Sequence, residues 1–218
     1  MSTVIDLFCG AGGLSYGFEM AGFKVAAAVD NDPVAGETYR RQNPSTPLLT
    51  QDVATIRGDE LLRLAGGSID VVIGGPSCQG FSTHGKRDPD DPRNALFNHF
   101  VRLVGETQPL WVVMENVKGL LTYDKGRYQQ EILSSFSRIG YRCESRVLLA
   151  ADYGVPQMRE RLFFIATRTQ NPISFPTPTH GPADRAVLSG LRPHVTVRDA
   201  LGDLPTIGVE GEEISYAA

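Results

Sequence analysis

The chain has 218 residues, of which 41% are hydrophobic, and a formal net charge of −4. That length fits one ordinary domain with a short appendage, and that composition supplies a core and excludes a disordered chain. The acidic balance counts against a surface built to grip phosphates, which needs Lys and Arg, so nucleic-acid contact would have to rest on local charge or on a part that is missing. No apolar run approaches the roughly 18 residues of a membrane span. The N-terminus has no basic start and its first apolar stretch is broken by Asp6, so it is not a secretory signal and the chain is expected to be cytosolic. Cys9, Cys78 and Cys143 are widely spaced and form neither a zinc pattern nor a disulfide framework.

The first half alternates short apolar strands with helical stretches. Residues 3–8 read as a buried strand, 9–13 as a glycine-rich turn, and 14–21 as a helix closed by Gly22. A second strand over 24–29 ends in Asp30, and 33–42 reads as a helix. A short extended piece leads to Asp52, and a brief helix is expected over 60–64. Residues 69–73 form a strong strand ending at Gly74 and Gly75; 95–106 are helical; 110–114 make a strand ending at Glu115; 128–139 make a helix stopped by Gly140. Strand, crossover helix and strand in repetition predict an α/β fold, a doubly wound and mostly parallel sheet with helices on both faces. Such sheets bind ligands at the carboxyl ends of their strands, where Gly10, Gly12, Gly13, Asp30, Gly75, Cys78 and Glu115 all fall. The pattern then changes: 141–150 and 161–167 are strands joined by a turn containing Pro156, too short for a helix, and are expected to pair antiparallel. After Asn171 the chain is rich in Pro, Thr and Gly and reads as a linker, with 195–204 as the start of something new. The expected division is a catalytic domain over 1–180 and, over 181–218, a linker with the start of a further region.

The segment Asp6-Leu-Phe-Cys-Gly-Ala-Gly-Gly-Leu14 follows a strand and opens a helix, where glycines let a ligand approach the backbone. The dinucleotide spacing Gly-x-Gly-x-x-Gly is not met, because position 15 is Ser. Asp30 at the end of the second strand can accept ribose hydroxyls, so the pair fits an adenosine-containing cofactor; a tight turn with a helix-capping Asp fits it too. Asp52 can accept from an adenine amino group or simply be a solvated loop carboxylate.

Gly74-Gly-Pro-Ser-Cys-Gln-Gly-Phe-Ser82 places Cys78 on a rigid loop at the ligand end of the sheet, a candidate nucleophile. A lone Cys is more often a buried structural thiol, but core cysteines do not need such a backbone; Cys9 and Cys143, among strand residues, keep that reading. Glu115 ends the neighbouring strand, where burial would raise its proton affinity and let it engage a ring nitrogen; a solvated strand-end Glu is the alternative. Gln157, Arg159 and Arg161 alternate, so in extended chain they point to one side and offer donors to a base carbonyl or a phosphate, or make an edge charge ladder.

Together these segments resemble the ordered motifs of the cytosine carbon-5 DNA methyltransferases: Asp6-Leu-Phe-Cys-Gly-Ala-Gly-Gly, Gly75-Pro-Ser-Cys-Gln-Gly-Phe-Ser, Glu115-Asn-Val and Gln157-Met-Arg-Glu-Arg161. The resemblance implies a Rossmann-like methyltransferase fold with an antiparallel C-terminal hairpin, S-adenosylmethionine as cofactor with S-adenosylhomocysteine as product, no metal, and double-stranded DNA as partner. It also implies an intracellular, bacterial restriction–modification setting away from membranes. Phe8, Gly10, Gly12, Gly13 and Leu14 would line the methionine and ribose region, Asp30 would hold the ribose hydroxyls, Asp52 and Val53 would contact adenine, and Asn31 and Pro76 belong to the same cofactor set. Cys78 would attack carbon-6 of a flipped-out cytosine, Glu115 would engage nitrogen 3, and Arg161 would hold the carbonyl oxygen with Arg159 and Gln157 in support. Asn116 would brace the loop, and the loop 80–93, with Lys86 and Arg87 offset by Asp88, Asp90 and Asp91, would close over the base or stay solvated.

Two departures from the pattern stand out. Ser77 precedes the nucleophile where the family has Pro, which implies a less rigid loop. On this resemblance the family's target-recognition domain and late returning segment are expected to lie outside this chain, which leaves open a fragment, a split enzyme with recognition on a second chain, or a remnant. A tRNA cytosine methyltransferase and an inactive cofactor-binding subunit are the competing functions; a nicotinamide oxidoreductase explains none of the Cys78, Glu115 and Arg161 pattern.

Overall fold

The computed structural model describes residues 1–76 and 96–204, so Cys78 and the loop 80–93 lie outside the described residues. Contacts divide the chain into two units: Met1–Leu148 with Glu160–Pro176, and Leu149–Arg159 with the chain from Thr177.

The first unit holds a seven-stranded sheet of β1 (Thr3–Leu7), β2 (Lys24–Asp30), β3 (Leu48–Thr50), β4 (Val71–Gly74), β5 (Trp111–Val117), β6 (Arg142–Leu149) and β7 (Glu160–Thr167). Its spatial order is β3-β2-β1-β4-β5-β7-β6. The first five strands pair parallel, and β7 runs antiparallel to β5. Strand order reverses between β1 and β4, which opens a crevice at their carboxyl ends.

Alternation along the buried strands feeds two faces. Ile5, Leu7, Ala27, Val29, Val72, Val112 and Met114 join the main core. Against them pack α3 (Gly58–Ala65), α4 (Leu96–Thr107) and α5 (Arg127–Arg138), through Leu61, Phe97, Phe100, Leu103, Val104, Ile132 and Phe136. In α4, Phe97, Phe100, Val101, Val104 and Thr107 recur at helical spacing, which explains why that segment is a helix with one buried stripe. Val4, Val71 and Ile73 point the other way, toward Leu14 and Phe18 of α1 (Gly13–Met20). On the same side Ala28 meets Tyr39 of α2 (Pro33–Gln42). That helix starts where its sequence says it should: Pro33 takes the first position and Asp32 accepts from the amides of Val34 and Ala35.

β5 ends in Glu115, Asn116 and Val117, which pair with Phe163, Leu162 and Arg161 of β7. Two expectations are corrected. Gln157 and Arg159 do not continue an extended strand: the Gln157 amide donates to Val155 O at 2.7 Å and the Arg159 amide to Gln157 O at 2.9 Å, so the backbone folds back on itself before β7 begins. The third helix is longer than expected, ending in a left-handed Gly66.

The second unit contains a 3₁₀ turn over Ala150–Tyr153 and a two-residue ladder of β8 (His180–Gly181) and β9 (Arg192–Pro193). Two short helices follow the ladder strands, α6 (Ala183–Ala186) and α7 (Val197–Leu201), the latter held by a capping box between Thr196 and Asp199. No helix among the described residues is long and apolar enough to cross a membrane.

Candidate active site

At the carboxyl end of β1 the chain turns sharply. Phe8, Gly10 and Gly12 have φ of 63°, 54° and 96°. At Gly12 the glycine is also required by space, because a Cβ there would lie 3.0 Å from the Tyr39 ring and 3.1 Å from Asn43 Nδ2. The turn is tied to β2 by the Cys9 amide, which donates to Val29 O, and by the Gly10 amide, which donates to Asp30 Oδ2 at 2.7 Å. The other Asp30 oxygen accepts the Asp32 amide at 2.8 Å. Asp30 is thus a clamp as well as a ligand candidate, with lone pairs left on both oxygens. α1 opens at Gly13 without a side-chain cap, Gly13 faces open space among the described residues, and Leu14 lies against the apolar cluster of Val4, Val71 and Ile73. Asn31 is exposed beside this turn.

Asp52 and Val53 stand just past β3. Asp52 Oδ1 accepts the Ala54 amide at 2.9 Å and shapes its own turn. The Val53 side chain is buried in the main core and its carbonyl accepts from Arg102 at 2.8 Å.

Sequence reading missed what lies beneath the glycine turn. Asp6 is fully buried; its Oδ2 accepts from Ser15 Oγ at 2.7 Å, and Ser15 Oγ lies 3.0 Å from the Tyr39 hydroxyl, while Asp6 Oδ1 has no hydrogen-bond partner among the described residues. The signal was a carboxylate in the middle of an apolar strand. Burial pushes Asp6 up from its ordinary 3.8 to about 7, against the downward pull of the Ser15 hydrogen bonds and with the Asp30 charge adding to the rise. The unfolded chain therefore releases this proton first. Asp6 lowers stability progressively as pH rises from about 4 to about 7, and the loss levels off above that. Asp6→Asn is expected to gain on the wild type between pH 5 and pH 8 in urea unfolding; parallel stability–pH curves would show that Asp6 does not titrate in that window. Burial also raises the Cys9 thiol, and it pushes Cys143 up to about 12, so neither is poised as a nucleophile.

The second half of the site lies at β4 and β5. Gly75 is half-buried, and a Cβ there would sit 3.2 Å from Glu115 Oε2. Asn116 is buried, and its Nδ2 donates to Pro76 O at 3.3 Å while its Oδ1 accepts the Val117 amide at 2.8 Å. Glu115 and Asn116 thus touch the strap that leads, two residues on, to Cys78. Glu115 is neither fully buried nor the unpaired, solvated strand-end Glu of the alternative reading. Its Oε1 lies 2.8 Å from Arg161 Nε, with about a quarter of each side chain exposed (22% and 26%). The pairing register explains this: Arg161 opposes Val117 and Phe163 opposes Glu115, so the two charges are diagonal neighbours on one face. Arg161 Nη1 also donates to Glu160 O, and Glu160 itself pairs with Lys118 at 2.7 Å. Gln157 and Arg159 belong to the second unit and are exposed on its folded turn.

A doubly wound sheet with a glycine turn at its switch point, and an acid–arginine pair one strand away, places the chain in the Rossmann-like class of α/β folds. The family model for C-5 cytosine-specific DNA methylases matches residues 2–209, and the chain belongs to that family. It is 46% identical to the Type II methyltransferase M1.HphI of Haemophilus parahaemolyticus over 94% of this chain and 53% of that protein. It is 43% identical to the Type II methyltransferase M.AquIA of Picosynechococcus over 93% of this chain and 88% of that protein. A solved E. coli structure described as a DNA modification methyltransferase of a prophage superposes with a TM-score of 0.77, at 36% identity, over 95% of this chain and 56% of that one. The chain thus spans about half the length of M1.HphI and of the E. coli protein.

Proposed function

We propose that this chain transfers a methyl group from S-adenosylmethionine to carbon-5 of cytosine in double-stranded DNA, with Cys78 as nucleophile. The observation that carries the reading is that Asn116 bonds to Pro76 and that Glu115, paired with Arg161, stands beside Gly75, residues that precede Cys78 in the chain by two and three positions. The β1–α1 turn fits the cofactor. Its left-handed residues leave open space at Gly13, the N-terminus of α1 suits a carboxylate, and Asp30 suits ribose hydroxyls. Phe8, Gly10, Gly12, Gly13 and Leu14 would hold the methionine and ribose end, with Asn31, Pro76, Asp52 and Val53 completing the set. Bound there, S-adenosylmethionine supplies an electrophilic methyl group.

The chain's own residues account for the rest. Carbon-5 of cytosine is a poor nucleophile until a thiolate adds at carbon-6. Cys78 forms that bond; the displaced electron pair moves toward nitrogen 3, where Glu115 engages the ring, and Arg161 holds the carbonyl oxygen, with Gln157 and Arg159 in support. Carbon-5 then carries enamine electron density and takes the methyl group. Loss of its proton to water restores the ring and expels Cys78 as the thiolate. A stacked base is out of reach of these groups, so the cytosine is flipped out.

Covalent trapping tests this. The chain is incubated with S-adenosylmethionine and duplex DNA carrying 5-fluorocytosine, whose fluorine blocks the final elimination. A stable adduct is expected, lost in Cys78→Ala. An adduct on tRNA alone would move the substrate to RNA. No adduct on either, with S-adenosylhomocysteine still bound, would require recognition to be supplied from outside this chain.

A further inference from the structure

The turn that bears Gln157 and Arg159 buries little of its own. Backbone bonds within it help to shape it: Ala150 N–H to Arg159 O at 2.9 Å, Gly154 N–H to Ala151 O at 3.1 Å, Val155 N–H to Ala150 O at 3.3 Å, and the two folded-back bonds at Gln157 and Arg159. Gln157 and Arg159 are exposed and Met158 is 73% exposed, so burial of these side chains cannot fix where they stand.

Within its own unit the segment around the β8–β9 ladder reaches this turn. The Thr179 amide donates to Asp152 O at 2.9 Å. His194 Nε2 lies 2.9 Å from Asp152 Oδ1, with side-chain exposures of 19% and 30%. The His180 ring covers Gly154, whose φ is +86° and where a Cβ would meet the ring at 2.8 Å. Both histidines are themselves held: His180 Nδ1 lies 2.9 Å from Thr179 Oγ1, and the His194 amide donates to Gly181 O at 2.8 Å. An imidazole protonated at Nε2 serves Asp152 in either charge state.

We propose that His194 and Asp152 are positioning residues, a clip that fastens the 150–159 turn to the ladder and so sets where Gln157 and Arg159 present their side chains. The assignment rests on the reading of those two residues as base contacts.

Hydrogen exchange of the full chain, read by mass spectrometry, decides whether the clip orders the turn. In His194→Ala and in Asp152→Ala, amides of 150–159 are expected to exchange at least about tenfold faster, the scale of one charge-assisted hydrogen bond, with β1 and β4 unchanged. The double variant should be no faster than the faster single, and His194→Gln, which keeps a donor at the same reach, should restore protection. Trapping on 5-fluorocytosine DNA should fall with it while S-adenosylhomocysteine binding holds. Unchanged exchange in either single variant, single effects that multiply in the double, or faster exchange with trapping intact would overturn the clip. Wild-type trapping in Gln157→Ala and Arg159→Ala would instead overturn the base-contact reading, leaving the exchange result to say whether the clip orders the turn.

Discussion

Gly74→Ala is expected to unfold this protein or to cost it about 3 kcal/mol or more, the upper range of overpacking penalties. Gly74 pairs with Leu7 in the parallel β1–β4 ladder, at the centre of the sheet. A Cβ on Gly74 would lie 2.1 Å from Leu7 O, 3.0 Å from Leu7 C and 2.9 Å from Phe100 Cε2. Two of those atoms are backbone and the third belongs to a fully buried ring, so nothing can move aside cheaply. The control is Gly17→Ala in α1, where a Cβ meets nothing within 4 Å and alanine should stabilise by roughly 0.5–1 kcal/mol. Urea unfolding of both variants reads the contrast. If Gly74→Ala stays within 1 kcal/mol of the wild type, the close approach of β4 to β1 is wrong.

Arg161→Ala is expected to lower the rate of adduct formation by roughly a hundredfold or more, the scale of losing one group that stabilises developing charge. Its effect on stability should be small, because a partly exposed pair at 2.8 Å contributes on the order of 1 kcal/mol or less. Arg161→Lys keeps the charge but not the planar fork, and should recover only part of the rate. Stopped trapping time courses and thermal unfolding, measured on the same samples, separate the two effects. A rate loss matched by an equal fall in folded fraction would make Arg161 a structural residue and remove it from the chemistry.

The fold was legible wherever local rules and tertiary packing agree. Asp32 and Pro33 begin α2 as their chemistry dictates, and Gly22 and Gly140 stop helices with left-handed φ near 85°. The glycine turn after β1 was visible for the same reason. What stayed hidden depends on partners distant in sequence. Glu115 was legible as part of a strand end, but only the pairing register with β7 brings Arg161 to its side. The Asp6–Ser15–Tyr39 group draws on three elements, and no spacing rule joins residues 9 and 24 positions apart. The glycines before Cys78 were read as loop-formers. Gly74 is there because a neighbouring backbone leaves no room, and Gly75 because Glu115 stands over it.

The strand order has a consequence for synthesis. β7 is the last strand of the large sheet to be made, yet it is inserted between β5 and β6. Until Glu160–Thr167 emerges, Trp111–Val117 has no neighbour on that side, and its unpaired amides and carbonyls form an open template for another chain. At about 5–20 residues per second the wait lasts a few seconds, longer than a strand needs to find a wrong partner. A chain cut short before residue 160 would carry its glycine turn with its sheet unsealed, a species prone to aggregation and to capture by chaperones.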